Sequence, residues 1–272
     1  MMRSLWTAAS GMLAQQTNLD TIANNLSNIN TTGYKTETTE FKSLLYQTIQ
    51  QKTTDSEGNP KPVGAQVGLG VRPCAVTAKF TQGIMQATDR NLDFAIEGNG
   101  FFQLQMEDGS IAYTRSGAFQ FAVDTDGMTL TNSTGNPVLD TTGKPITLDG
   151  NTYQMDKVTI DTSGRLMYPD ASGNAQYIGY QIGLVQFNNP AGLNKIGGTN
   201  YKETVASGVP LSEANGETYS VSKLHQSYLE ASNVQAVDEM VNMIVAQRAY
   251  EMNSKAITAS DEMMQQANNL RR

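Results

Sequence analysis

Residues 4–33 read SLWTAASGMLAQQTNLDTIANNLSNINTTG, and the plan of the chain follows from them. Two seven-residue series interleave along this stretch. Leu5, Met12, Leu19 and Leu26 form one, and Ala8, Gln15, Ile22 and Ile29 form the other, offset by three and then four. This is the a/d rhythm of a coiled-coil seam, and it predicts a helix over residues 4–29, about 39 Å long at roughly 1.5 Å per residue. Arg3 and Asp20 carry the only charges in the first 34 residues. A lone surface helix with so little charge aggregates, so it must be covered. Asn28-Ile29-Asn30-Thr31-Thr32-Gly33 supplies turn residues, and Gly33 suits a left-handed stop.

The opposite end carries a matching pattern. Val245, Met252, Ala259 and Gln266 alternate with Ala249, Ala256, Met263 and Leu270 in the same rhythm, and Tyr250, Ile257 and Met264 widen the stripe. Val234, Val237, Val241 and Ile244 form an earlier stripe in a shifted register. Ser232 and Gln235 fit a capping box; Asp238 and Glu239 lie near the positive end of the helix dipole, Arg271 and Arg272 near the negative end. Glu251 and Lys255 are spaced for an i,i+4 pair. A helix from Asn233 to Leu270 spans roughly 57 Å. Either helix alone could pack on a central domain as an ordinary amphipathic element. Heptad spacing at both termini predicts instead that they pair with each other and with neighbouring subunits. The expected interface is Leu5, Met12, Leu19, Ile22, Leu26 and Ile29 with Val245, Ala249, Met252, Ala256, Met263 and Leu270.

The middle is built differently. All 8 prolines lie between Pro60 and Pro210, and all but Gly11 and Gly33 of the 24 glycines lie between Gly58 and Gly216. Turn signals recur at Asp108-Gly109, Asp126-Gly127, Gly135-Asn136-Pro137, Thr142-Gly143, Asp149-Gly150, Ser163-Gly164 and Ser172-Gly173. Such spacing predicts short strands joined by hairpins. Phe119–Val123 reads as a strand, and the alternation Ile178, Tyr180, Ile182, Leu184 shifts at Val185 and Phe187, which suggests a bulge. The expected fold is a mainly β central domain flanked by N- and C-terminal helices. Its segments are an N-terminal helix over 1–34, an extended connector over 35–72 (most polar from 47 to 70), a β-rich domain over 73–222 and a C-terminal helix over 223–272.

Composition excludes much chemistry. With 19 basic and 26 acidic residues in 272, the net charge of −7 and the lack of basic clusters argue against a nucleic-acid partner. No apolar run approaches the roughly 18 residues of a membrane span, so no membrane insertion is expected. The single Cys74 excludes an internal disulfide and reads as a small buried side chain; the single His225 reads as a surface or interface residue. Gly68-Leu69-Gly70 lacks a third glycine, Gly98-Asn99-Gly100 runs into the strand-like Phe101-Phe102, and Asp124-Thr125-Asp126-Gly127 lacks the distal ligands of a calcium loop. No catalytic, cofactor or metal residue is expected. Asn and Gln together number 42, Thr adds 29, and charged residues are 17% against the roughly 25% usual for soluble domains. A charge-poor, amide-rich surface suits hydrogen-bonded packing against other chains. Arg3, Leu5-Trp6 and the following alanines imitate a signal peptide, but Thr7, Ser10 and Gly11 interrupt the apolar core, so no cleaved signal is expected.

Three motifs in order resemble the bacterial flagellar rod and hook protein family. The first is Ala23-Asn24-Asn25-Leu26-Ser27-Asn28-Ile29-Asn30-Thr31-Thr32-Gly33-Tyr34-Lys35. The second comprises Gln82-Gly83, Leu92-Asp93, Ala95-Ile96-Glu97-Gly98-Asn99-Gly100-Phe101-Phe102 and Tyr113-Thr114-Arg115-Ser116-Gly117-Ala118-Phe119. The third runs from Glu230-Ala231-Ser232-Asn233-Val234 to Gln247-Arg248-Ala249-Tyr250-Glu251-Met252-Asn253-Ser254-Lys255. Ser27 stands where many members have alanine. The resemblance implies signature roles for Asn24, Asn25, Asn28, Gly33, Tyr34, Ser232, Asn233, Gln247, Arg248, Tyr250 and Asn253. Length, and Leu44–Gln51 followed by the stretch to Val71-Arg72-Pro73, match members that form the distal rod; a proximal rod or hook-type role is the alternative. It also implies a helical homopolymer: a hollow shaft with the end helices paired as its inner wall, meeting proximal rod proteins, the hook or hook–rod junction proteins and the flagellar export apparatus. The place implied is the basal body, in the cell envelope outside the inner membrane, reached by export without cleavage. Two other classes stay open: a secreted β-rich binding module and a polysaccharide-active enzyme, for which turnover of peptidoglycan is the discriminating assay.

Overall fold

A computed structural model describes residues 2–50, 64–124, 127–150, 152–154, 157–170, 173–216 and 220–270. The expectations placed on residues 51–63 of the connector, on Asp126 and Ser172 of two turns, and on Arg271 and Arg272 lie outside the described residues. The chain has a mainly β central region between an N-terminal and a C-terminal helix, and it folds as two compact units. The unit boundaries fall after residues 27, 36, 78 and 234, whereas the sequence placed segment boundaries after 34, 72 and 222.

The first unit holds residues 1–27, 37–78 and 235–272. Its helices are α1 (Met2–Ser27) and α2 (Ala236–Asn269), and its strands are β1 (Glu37–Ser43), β2 (Tyr46–Gln50), β3 (Ala65–Gly68) and β4 (Val71–Ala78). β1 pairs antiparallel with β4 and β2 with β3. Leu44 N donates to Gly70 O (2.9 Å) and Leu69 N to Leu45 O (3.2 Å), which joins the two pairs into one long ribbon. Part of the expected connector is therefore paired β structure. Cys74 is exposed rather than buried. Glu40 faces Ala75 and Phe41 faces Pro73, so Cys74 is the extra residue of a bulge and has no position on a packed face.

α1 is as long as its periodicity predicts but is shifted two residues toward the N-terminus, and α2 is shorter than predicted at both ends. α1 stops at Ser27, whose hydroxyl donates back to Ala23 O (2.9 Å). Asn28 then closes a turn with Thr31, so Ile29 lies off the helix. Gly33 is left-handed as expected, with φ +70°, but well past the helix end. The capping box does not form: α2 starts at Ala236, Gln235 makes no side-chain cap, and the Ser232 hydroxyl accepts Val234 N (3.3 Å) instead. Ala231 N is already committed to Ile84 O (2.9 Å), which holds this segment extended. Asp238 and Glu239 occupy the first turn, where the dipole favours them. Glu251 pairs with Arg248 (2.8 Å) rather than Lys255.

The second unit holds residues 28–36 and 79–234. Its largest sheet is six-stranded and antiparallel, in the order Asn194–Gly197, Asn200–Lys202, Ile111–Thr114, Phe101–Gln105, Leu184–Gln186, Leu211–Ser212. Phe101-Phe102 shows why this strand is apolar on both faces. Phe102 and Leu104 enter a core with Phe94, Ile96, Phe119, Leu130, Leu166 and Ile182, while Phe101 packs edge-on against Phe187 and Phe80 on the other side. Full burial of each such side chain contributes roughly 1.5–3 kcal/mol. Smaller three-stranded sheets follow, one of Phe119–Asp124, Gly127–Asn132 and Thr147–Leu148, the other of Thr159–Ile160, Arg165–Pro169 and Ala175–Gln181. The phase shift near Val185 is a change of sheet rather than a bulge. The Ala175–Gln181 strand ends and Leu184–Gln186 joins the six-stranded sheet, with Gly183 so close to Asp140 that a Cβ would lie 2.9 Å from its carbonyl oxygen.

Candidate assembly site

In the first unit α1 and α2 run antiparallel. Ser4 Oγ lies 3.3 Å from Ser260 Oγ, and a Cβ at Gly11 would stand 2.8 Å from Asn253 Nδ2. Seven residues forward on α1 thus match seven back on α2, so a heptad register is real in this pair. Its seam is not the apolar series read from the sequence. On α2 the buried positions are Glu239, Ala246 and Ser260, with Asn253 on the same line: small or polar, and one residue away from Val245 and Met252. α1 also backs onto the ribbon. Thr21 Oγ1 meets Thr39 Oγ1 (2.9 Å), Ser10 Oγ accepts Val71 N (3.3 Å), and Asn25 exchanges two hydrogen bonds with the Glu37 backbone (2.8 and 2.9 Å).

The expected interface residues divide accordingly. On α1, Ile22 is buried, and Leu5, Met12, Leu19 and Leu26 are half-buried. On α2, Ala249 is half-buried, while Val245, Met252, Ala256, Met263 and Leu270 are exposed, Met252 by 65%. Trp6 and Leu13, seven residues apart on α1, are exposed as well. The chain therefore spends its small, polar seam on itself and leaves its apolar stripe open.

The signature residues fall into two kinds. Asn25 is buried in the first unit, and Gly33, Tyr34 and Asn233 do their work in the second. Gly33 N donates to Glu230 O (2.8 Å), and a Cβ there would lie 2.6 Å from Ser116 N, so only glycine suits the position. Asn233 Oδ1 accepts Thr36 N and Thr36 Oγ1 (both 2.7 Å), and its Nδ2 donates to Lys79 O, Thr81 O and Thr81 Oγ1. Asn28 Oδ1 accepts from Thr31 Oγ1 (3.2 Å). Gln247, Arg248 and Tyr250 are exposed on α2, and so is Asn24 on α1.

Sequence reasoning quoted Lys35, Arg115 and Glu230 only as motif letters. They form one buried charge cluster in the second unit. Glu230 Oε1 accepts Lys35 Nζ (2.6 Å) and Gly83 N (2.8 Å), and Oε2 accepts Arg115 Nε (3.1 Å). Lys35 Nζ donates also to Thr81 O (2.8 Å), and Arg115 Nη1 to Gly98 O (2.8 Å) and Gly100 O (2.5 Å). Burial holds the Lys35 ammonium below its usual range; Glu230 opposes that and Arg115 adds to it. The signal that could have found this cluster is a charged residue embedded in each of three glycine- and aromatic-rich motifs. At the surface, His225 Nε2 lies 2.8 Å from Glu97 Oε2, in accord with a surface histidine.

Comparison with known proteins follows the same three regions. Residues 5–35 match the flagella basal body rod protein model, residues 95–168 the D1 domain of the flagellar hook protein FlgE/F/G, and residues 225–270 the C-terminal model of the flagellar basal body rod FlgEFG proteins. The flagellar basal-body rod protein FlgG of Borreliella burgdorferi is 46% identical, with 100% of both chains covered. The protein of the same name from Buchnera aphidicola subsp. Schizaphis graminum is 41% identical over 99% of this chain and 100% of its own. The hook protein FlgE2 of Helicobacter pylori aligns with 62% of this chain and 47% of its own at 14% identity, with a TM-score of 0.23, too poor a superposition to bear on the fold. With relatives this similar over the full length, the chain belongs to the flagellar basal-body rod FlgEFG family.

Proposed function

We propose that the chain is a structural subunit of the distal rod, polymerising helically into a stiff hollow shaft that carries torque from motor to hook and lets exported proteins pass. One observation carries this reading: the apolar stripe of α2, including Ile244, Val245, Met252 and Met263, stands exposed on a helix whose separate small, polar seam α1 already occupies. Monomeric soluble proteins rarely leave such a stripe open, and covering each of its large side chains would contribute roughly 1.5–3 kcal/mol. Neighbouring copies are the covering we assign, with the end helices paired as a coiled coil in the inner wall. Contacts that repeat head to tail without closing build a filament rather than a ring. The ribbon of β2 and β3 supports a second set of subunit contacts, since Leu45, Tyr46 and Ile49 all face outward.

The role is structural rather than catalytic, and it requires neither cofactor nor metal. Its neighbours would be proximal rod proteins on one side and the hook or hook–rod junction proteins on the other, after passage through the flagellar export apparatus without cleavage. The shaft would stand in the cell envelope, outside the inner membrane. The test is electron microscopy of basal bodies from a strain lacking this gene. The expected result is a rod that stops short with no hook attached; an intact rod and hook refutes the assignment.

A further inference from the structure

The dipeptide Asn-Gly occurs twice in the chain, at Asn99-Gly100 and Asn215-Gly216, both in the second unit. At such a step the glycine nitrogen can attack the preceding side-chain amide, because glycine carries no Cβ to block the approach. The two asparagines are alike: each is exposed, and neither side chain has a hydrogen-bond partner among the described residues. Their glycines differ. Gly100 is buried, its N donates to Ser222 Oγ (3.0 Å), and a Cβ there would lie 2.8 Å from Glu213 Oε1. Arg115 Nη1 also donates to the carbonyls of Gly98 and Gly100, which fixes the backbone on both sides of Asn99. Gly216 is exposed and left-handed at φ +70°, its N closes a turn onto Glu213 O (3.2 Å), and a Cβ there would meet nothing within 4 Å.

We propose that Asn215 is a site of spontaneous deamidation and that the fold protects Asn99 from the same reaction. Gly216 N gives its proton to solvent and bonds to Asn215 Cγ. The Cγ–Nδ2 bond breaks, and ammonia leaves with a proton from water, so that a succinimide ring remains. Water then adds to one of the two ring carbonyls and breaks its bond to the nitrogen, which yields aspartate or isoaspartate. At Asn215 the attack needs one exposed turn hydrogen bond to open, and exposed turns open at little cost. At Asn99 it needs the buried Gly100–Ser222 bond to break and a backbone held by Arg115 to turn, which leaves buried polar groups unpaired. The product carries a new negative charge two residues from Glu213, whose buried carboxylate accepts Ser222 N, Ser222 Oγ and Gln186 Nε2 (all 2.7 Å). Isoaspartate also adds a methylene to the main chain of the turn that follows the edge strand Leu211–Ser212.

Deamidation at Asn215 does not depend on the polymer reading. It is tested on the purified full-length chain, incubated in dilute neutral buffer with and without unfolding concentrations of guanidinium chloride. Tryptic cleavage puts the two steps on separate peptides, 91–115 and 203–223, and Asn215 is the only amide side chain of the second. Mass spectrometry reads the gain that accompanies exchange of an amide for a carboxyl; the Asp-Gly steps, which lose and regain water, show none. In the folded chain Asn215 should convert at least about ten times faster than Asn99, since opening free energies run from near zero at exposed turns to the global value in the core. In guanidinium chloride the two should convert at similar rates, which marks the fold rather than the dipeptide as the cause of the difference. Asn215→Gln alters an exposed side chain and should abolish the gain on peptide 203–223 over the same incubation. Equal rates for the two asparagines in the folded chain, or an Asn215 that converts only when unfolded, overturns the proposal.

Discussion

Glu230→Gln tests the physical core of the β-rich unit. The substitution preserves shape but removes the single negative charge between two buried cations. Lys35 and Glu230 side chains are fully buried and that of Arg115 nearly so, so water cannot replace the lost partner. Geometry worsens the exchange. A glutamine oxygen in place of Oε1 keeps Lys35 Nζ and Gly83 N satisfied, but the amide NH2 then points at Arg115 Nε, donor against donor. Arg115 retains the carbonyls of Gly98 and Gly100, and Lys35 retains that of Thr81, so neither cation is wholly abandoned. Breaking a buried pair by removing one partner costs about 3–5 kcal/mol, a large share of the roughly 5–15 kcal/mol that holds a domain folded. At about 2–4 °C per kcal/mol for a domain of this size, the melting midpoint should fall by roughly 6–20 °C. The assay is thermal and urea unfolding of the full chain, followed by near-ultraviolet circular dichroism, which reports the tyrosines and phenylalanines of this unit. A loss below about 1 kcal/mol, the scale of an exposed ion pair, refutes the reasoning.

Three further outcomes are expected. Met252→Asp changes an exposed side chain, so monomer stability should move by no more than about 0.5 kcal/mol while basal bodies from the mutant lack a complete rod; normal rods would remove Met252 from the subunit interface. Gly33→Ala places a Cβ against the Ser116 backbone at φ +70° and should cost at least about 2 kcal/mol in urea unfolding, whereas tolerance of alanine would show that the turn relaxes freely. His225→Ala concerns pH: its hydrogen bond, then its charge, holds the Glu97 carboxyl below the ordinary 4.5. A depressed carboxyl contributes stability above its unfolded value and loses it as pH falls through the folded one, so the variant should raise the Glu97 midpoint toward 4.5 and flatten that acid dependence, read by carboxyl-carbon NMR.

The broad plan was legible because composition and period both mark it. Proline and glycine crowd the middle and vanish from the ends, and the two helices appear where seven-residue series run. Their termini were not legible, since periodicity does not record where backbone donors go. Ile29 keeps the phase of α1 but follows a turn closed by Asn28 and Thr31, and Ser232 is spaced as a cap but spends its hydroxyl on Val234. The β ribbon built by residues 37–50 and 65–78 was hidden because its strands are largely exposed and carry no alternation to read. Cys74 was misplaced for the same reason: a bulge in an exposed ribbon offers no interior. The Lys35–Glu230–Arg115 cluster joins residues 195 and 115 positions apart, and single-sequence reasoning has no means of pairing charges at that separation.

The helix register explains how one period can serve two sets of contacts. A heptad has several faces, and adjacent positions lie about 100° apart around a helix. α2 turns Glu239, Ala246, Asn253 and Ser260 toward α1; small groups allow close approach there, and Gly11 meets Asn253 directly. Val245 and Met252 lie one step round and stay exposed. Had α1 covered that apolar series, each chain would be satisfied alone and would have little reason to polymerise. Had neither series been covered, the chain would carry two open apolar helices and aggregate. Using the small seam within the chain holds the helix pair together and leaves the apolar stripe open, as the proposed shaft requires. The signature residues Gln247, Arg248 and Tyr250 stay exposed on α2, outside that seam. On this argument, exchanging Ala246 for leucine should pry the helix pair apart and leave the polymer contact of Met252 chemically intact, so losing monomer helicity before losing affinity between copies.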